Sequence, residues 1–313
     1  MVWRITIGLA VRTDGDGIMT IDWGIRPDLG DRRILQPGKW RPLRSLVWMV
    51  VLTFAIVLAF GPAVEALGHA LPKAPPWQFM SKACGALIVL GAYVLLVRLG
   101  EARSPGELAL TAAPAGLLAG LAIGVVMFAT TMALLIASGV YDFAWHGPAS
   151  AWRGIGLALE SGVLEEVIVR GVVLRLVWRA SGPIAAFVVS GLLFGLGHVA
   201  NPGATLFTTA CVAIEAGVML GSFYALTGRL WVSIGVHAGW NFTQGTLFGA
   251  HVSGGDFGPS FATSTARSNL PDWLTGGAFG PEASLPAFVV CTLVGAAVLW
   301  LAWRQQRFAQ PAG

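Results

Sequence analysis

Four acids lie inside or beside apolar runs of this chain: Glu160, Glu165, Glu166 and Glu215. An ionised carboxylate near a bilayer centre costs roughly 2.5 to 3.5 kcal/mol on insertion scales. Each acid must therefore face protein, water or a counter-charge, or hold a proton. Arg170 offers one counter-charge. It follows Glu166 by four residues, which puts the two on one helical face, whereas Glu165 is turned by about 100 degrees and addresses another neighbour. The adjacent acids are thus unequal, with Glu166 held ionised by Arg170 and Glu165 free to be tuned as a proton acceptor. Two further apolar stretches carry matching groups. His198 closes the run Ser190-Gly-Leu-Leu-Phe194-Gly-Leu-Gly-His198, and Ser233-Ile-Gly-Val-His237-Ala-Gly-Trp-Asn241 sets His237 and Asn241 four residues apart on one face. Five groups able to donate, accept or exchange protons thus come from three helices, among small residues (Gly191, Gly195, Gly197, Gly235, Gly239) that allow close backbone approach. Glu160 and Glu215 lie outside these clusters and are expected to find local partners.

The elements that must hold these groups are membrane helices. The chain has 313 residues, 55% hydrophobic and 12% charged, against about 25% charged in a soluble domain. Its mean hydropathy is +0.71. The net charge of +4 is a small excess of base in a charge-poor chain, not the dense basic stripe of a nucleic-acid surface. Apolar runs near 46–68, 83–99 and 115–139 are long enough to cross about 30 Å of hydrocarbon. Less uniform runs follow near 153–178, 182–199, 204–227, 230–249 and 285–302. The expectation is an all-α helix bundle with about eight spans. With the N-terminus in the cytoplasm, 15 of the 20 Lys and Arg residues fall on the inner side, which places both termini there. Residues 1–45 form a polar cytoplasmic tail containing the turn-rich Asp14-Gly15-Asp16-Gly17, with no removable signal peptide evident. Residues 250–284, rich in Gly, Ser and Thr, form an external loop serving as a lid or a flexible connection. Trp40, Trp48, Trp77, Trp231 and Trp300 fit anchoring at the bilayer interface, with Trp240 the exception, a candidate cavity wall. Cys84, Cys211 and Cys291 are far apart in apolar runs and are read as buried small hydrophobes.

The motifs Glu165-Glu166-Val-Ile-Val-Arg170, Phe194-Gly-Leu-Gly-His198 and His237-Ala-Gly-Trp-Asn241 together resemble the three signatures of the CAAX-processing and bacteriocin-protection (CPBP, or ABI) family of intramembrane proteases: Glu-Glu-x-x-x-Arg, Phe-x-x-x-His and His-x-x-x-Asn. The resemblance covers about 151–249. It implies an intramembrane endopeptidase acting on a membrane-associated or prenylated peptide, with Glu165 and His198 activating water, His237 and Asn241 on the oxyanion side, and Glu166 and Arg170 as supports. The organisation it suggests is the tail (1–45), the first transmembrane helices (46–150), a catalytic core (151–249), the external loop (250–284) and a last helix with a short cytoplasmic tail (285–313).

No cofactor is expected. A divalent metal such as zinc is the alternative, with Glu165, His198 and His237 as its ligands, although the chain lacks the His-Glu-x-x-His helix of common metalloproteases. A serine mechanism lacks a supported nucleophile, since Ser190 belongs to no motif. An aspartyl mechanism lacks a pair of intramembrane Asp residues, and no phosphate-binding Gly-x-x-x-x-Gly-Lys-Ser/Thr loop is present. The expected partners are the lipid bilayer and a membrane-associated peptide or protein, with no nucleic acid. Two other functions use the same polar groups: a non-enzymatic membrane partner, such as a bacteriocin self-immunity or chaperone-like protein, and a proton-coupled transporter. Depth is the remaining tension. Glu165 falls near mid-membrane and His198 near the outer edge, which requires a tilt or a broken helix around 197–204.

Overall fold

Proline stands in the first turn of five helices, where its missing N–H breaks no intrahelical bond and its fixed φ suits the start. These are α1 (Arg41–Ala70), α2 (Pro75–Glu101), α3 (Ala113–Ala137), α5 (Pro183–Leu196) and α8 (Leu285–Arg304). The computed structural model describes residues 10–13, 19–22 and 24–308. The Asp14-Gly15-Asp16-Gly17 stretch lies outside the described residues. Three more long helical segments complete the bundle: α4 (152–181), α6 (Leu206–Thr227) and α7 (230–247).

Eight helical segments therefore occupy the eight apolar runs, but among the described residues five are long and apolar enough to cross a membrane. These are α1, α2, α3 (counted from Leu110), α6 and α8, and they make the chain a multi-pass membrane protein. The other three differ for physical reasons. Helix α4 carries Glu160, Glu165, Glu166, Arg170, Arg175 and Arg179. Helix α5 has 14 residues, about 21 Å at 1.5 Å per residue and short of the hydrocarbon thickness. Helix α7 is almost wholly buried by protein, against α3, α4 and α6.

The seam between α3 and α7 is made of glycine. A Cβ on Gly120 would lie 2.3 Å from the Val232 carbonyl oxygen, and one on Gly124 would lie 2.1 Å from that of Val236. From the other side, Cβ atoms on Gly235 and Gly239 would each come within 2.6 Å of a backbone carbonyl of α3. The backbones touch because neither helix has side chains at the contact, the small-residue packing that holds helices together where lipid gives no hydrophobic drive.

Three helices widen into π turns close to the polar residues. Helix α4 runs from Trp152–Glu166 into π-helical Val167–Leu174 and then Arg175–Ser181. Helix α6 contains π-helical Glu215–Leu220, and α7 ends in π-helical Thr243–Leu247. Such segments are rare and frequent at functional sites.

One end of the bundle is basic. Arg175 pairs with Glu101 at 2.7 Å, both fully buried, and Arg103 joins Glu101 at 2.7 Å and Glu107 at 2.8 Å. Tail residues fold onto this end: Arg103 meets Asp28 at 3.4 Å, and Arg179 donates to the carbonyls of Gly30 (2.9 Å) and Leu35. Burial of the Glu107 carboxyl opposes its charge, but the hydrogen-bonded Arg103 guanidinium outweighs this and holds it below the ordinary carboxylate range.

At the other end, strands β3 (Tyr141–Trp145) and β4 (Ala262–Ala266) pair antiparallel, with Tyr141 opposite Ala266 and Trp145 opposite Ala262. A second short antiparallel pair, β1 (Ala10–Thr13) with β2 (Met19–Asp22), lies in the tail. The 250–284 segment is therefore folded against the protein, tied by β4 to β3, by the Phe261 N–H to the Thr246 carbonyl (2.8 Å) and by the Ser264 hydroxyl to the Phe248 carbonyl (2.7 Å), and braced within itself by the Gly254 N–H to the Phe279 carbonyl (2.7 Å) and by Ser253 to Glu282. Two tryptophans assigned to the interface are in fact interior. Trp48 donates its indole N–H to Glu101 at 2.9 Å, and Trp231 donates to the Ala109 carbonyl at 3.0 Å, so both satisfy their polar atom within the protein. Trp40, Trp77 and Trp300 are exposed.

Candidate active site

Glu166 is the hub. Its Oε1 accepts from Arg170 Nη1 at 2.8 Å and from His237 Nδ1 at 3.0 Å, and both Glu166 and Arg170 are fully buried. The i,i+4 pairing on α4 thus forms as the spacing predicts. Arg170 also donates through Nη2 to the carbonyls of Ala216 and Gly217 (3.4 Å) in the π segment of α6, and its guanidinium lies 5.0 Å from the Phe194 ring centroid. One cation therefore ties α4, α5, α6 and, through Glu166, α7 into a single frame.

That frame fixes the tautomer of His237. A carboxylate can only accept, so a neutral His237 carries its proton on Nδ1 and offers a bare Nε2. Nε2 lies 3.9 Å from Glu165 Oε2, too far for a direct hydrogen bond and suited to a bridging water. Glu165 Oε2 is buried without a hydrogen-bond partner, although the side chain as a whole is 31% exposed. His198 follows the same rule. Its Nδ1 meets the Phe194 carbonyl at 2.8 Å, so Nδ1 is the donor and Nε2 is free. Helix α5 stops at Leu196 and His198 sits in the turn that follows. This is the break that the depth difference between His198 and Glu165 required. The Phe194 ring packs between the imidazoles, 4.8 Å from His198 and 6.2 Å from His237.

Asn241 is buried, and its Nδ2 donates to Ser161 Oγ at 3.1 Å. Ser161 is missing from the sequence-level set, yet the signal was present: it precedes Glu165 by four residues and so shares its face of α4.

His198, His237, Asn241 and Trp240 line one cavity. The cavity gives about 50 Å³ to the centres of water molecules, where one water needs roughly 10–15 Å³. That is room for a few water molecules and too little for a peptide. Its far wall was not foreseen. Glu215 lines it without a hydrogen-bond partner for Oε1, contrary to the expected local pairing, and the 250–284 segment contributes Ser253 and Glu282. Glu282 accepts from the Ser253 N–H (2.9 Å) and hydroxyl (2.7 Å), and burial pushes its carboxyl above the ordinary range. Glu160, by contrast, is paired as expected, with Lys82 at 2.7 Å. Cys211 and Cys291 are buried and free, and Cys84 is half-buried and free.

Among the described residues no group of three or more His, Cys, Asp or Glu is arranged to hold a metal ion. Glu165 and His237 approach one another, His198 is not gathered with them into such a group, and each imidazole has spent one nitrogen on another acceptor.

Residues 147–243 match the family model described as Rce1-like, Type II CAAX prenyl endopeptidase Rce1-like. No curated protein and no solved structure matches the chain.

Proposed function

From the match of residues 147–243 to the Rce1-like family model we propose that the chain is a CAAX-protease-type intramembrane endopeptidase hydrolysing a membrane-associated or prenylated peptide. The observation that carries this reading is the pair of unspent acceptors, Glu165 Oε2 and His237 Nε2, 3.9 Å apart beside a water-sized cavity. A water spanning them is oriented by both. Glu165 takes a proton as the water oxygen attacks the peptide carbonyl carbon, and the C–N bond then breaks as that proton passes to the leaving nitrogen, giving a carboxylic acid and an amine. His237, with its Nδ1–H fixed on the Glu166 carboxylate, is a proton carrier between Glu165 and the leaving amine, because a bare Nε2 cannot donate to an oxyanion until it is protonated. Asn241 Nδ2 is the neutral donor on the oxyanion side, and it keeps a second N–H beyond the one given to Ser161. His198 faces the same cavity through Nε2 and receives or returns protons on the substrate side. Arg170 and Glu166 position the machinery. Every step is written with protein groups.

Eight spans with both termini cytoplasmic complete the proposal, supported by the contacts of Arg103, Arg179 and Arg229 with residues at the tail-covered end. The test is a comparison of membrane peptides in cells carrying the unaltered protein or Glu165→Gln. Peptides cut only in the first, each with a new carboxyl terminus, support the endopeptidase. Identical peptide sets, with solute uptake that dissipates a pH gradient in sealed vesicles instead, would point to a transporter.

A further inference from the structure

The cavity lined by His237 and Asn241 is also lined by Glu215 and Glu282. Both are interior, 4% and 6% exposed, and both line this cavity. Glu282 is anchored by Ser253, but Glu215 Oε1 is buried in the cavity wall with no partner. No Lys or Arg lines this cavity. Two lining groups can carry positive charge, and both have Nδ1 committed elsewhere: His198 to the Phe194 carbonyl and His237 to the Glu166 carboxylate. Two buried acids in a low-dielectric cavity with no Lys or Arg beside them are costly as carboxylates until a cation arrives. The chain otherwise matches its buried acids with care: Glu101, Glu107, Glu160 and Glu166 each meet an Arg or Lys within 2.8 Å. Glu215 and Glu282 are the exception, with neither an Arg nor a Lys in the cavity they line.

We propose that Glu215 and Glu282 form a subsite for a cationic side chain of the substrate, a lysine or arginine close to the scissile bond. The inference deepens the endopeptidase reading and rests on it for the word substrate. The geometry follows from the shared cavity: a side chain reaching Glu215 leaves its backbone beside His237 and Asn241, the residues assigned to the bond that breaks. Glu282 adds a specificity element from outside the family segment, since it lies in the 250–284 stretch that folds over this end. Because the cavity is narrower than a peptide, this stretch must lift for entry and then return Glu282 to the bound cation.

The experiment uses the full-length protein in detergent and membrane-spanning Leu/Ala host peptides. One residue, either lysine, its uncharged isostere norleucine or glutamate, is moved through the central positions. Turnover and binding to Glu165→Gln protein are both measured. The expected result is a position at which lysine exceeds norleucine by about 30-fold, the scale of a charge-assisted hydrogen bond, with glutamate poorest. In Glu215→Gln and, separately, Glu282→Gln that ratio falls toward one. Turnover with no lysine preference at any position overturns the subsite and leaves the protease reading standing. A lysine preference in binding that depends on Glu215, without turnover of any peptide, keeps the subsite and removes the protease. A lysine preference unchanged in both variants assigns the recognition elsewhere and also overturns the proposal.

Discussion

Replacing Gly124 by alanine tests whether the glycine seam positions the site. A Cβ there would sit 2.1 Å from the Val236 carbonyl oxygen and 2.8 Å from the Trp240 nitrogen. Restoring ordinary contact near 3.4 Å moves α7 away from α3 by about 1.3 Å. Backbone atoms on both sides leave no flexible side chain to absorb the shift. Overpacking of this kind costs about 1–3 kcal/mol, and His237 follows Val236 in sequence, so the imidazole is displaced relative to Glu166 and Glu165. Misplacement by about 1 Å lowers turnover by roughly 100-fold. Gly91 on α2 is the control, since no atom lies within 4 Å of its built Cβ and alanine there gains helix propensity, up to about 1 kcal/mol. Reversible unfolding in mixed detergent–SDS micelles should therefore separate Gly124→Ala from Gly91→Ala by about 2–4 kcal/mol, with turnover lost only in the first. Equal stability and equal turnover of the two variants would refute the claim that α3 sets the position of α7.

Other consequences are as direct. Glu101→Gln strips the charge that Arg175 meets at 2.7 Å in full burial, and breaking such a pair costs about 3–5 kcal/mol. In the same unfolding assay, Glu101→Gln combined with Arg175→Met should recover part of that loss. Glu107 is held below the ordinary carboxylate range by Arg103 despite its burial, so its contribution to stability is complete at neutral pH and is lost as pH falls through and below about 4.3. Melting midpoints recorded against pH should show an acid limb that Glu107→Gln flattens, and an unchanged limb would contradict this. Ser161→Ala removes the acceptor of Asn241 Nδ2. It is expected to lower kcat by about 10-fold with little change in KM, because the donor on the oxyanion side loses its orientation.

The residues of the site were legible because charge is scarce in this chain, so that Glu165, Glu166 and Arg170 within an apolar run had to be explained by one another. Spacing alone then gave the Glu166–Arg170 contact. What spacing could not give was the use of His237. Its tie to Glu166 depends on the seam formed by Gly120, Gly124, Gly235 and Gly239, and contact across helices leaves no periodic trace. Glu282 was invisible for a different reason: it lies in a polar connection where an acid costs nothing by composition, and only folding of that connection onto the bundle buries it. Trp48 and Trp231 misled because an indole suits an interface and an interior carbonyl or carboxylate equally well. The helices were legible as apolar runs, but hydropathy did not distinguish five lipid-length helices from the charged α4, the short α5 and the protein-wrapped α7.

The central claim is that Glu165 activates the water that cuts a peptide bond. Its most direct test is turnover of a cleaved membrane peptide by purified Glu165→Gln protein with unchanged melting behaviour. The account predicts a fall of at least about 100-fold, the lower range for loss of a general base. Turnover within about twofold of the unaltered protein would contradict it.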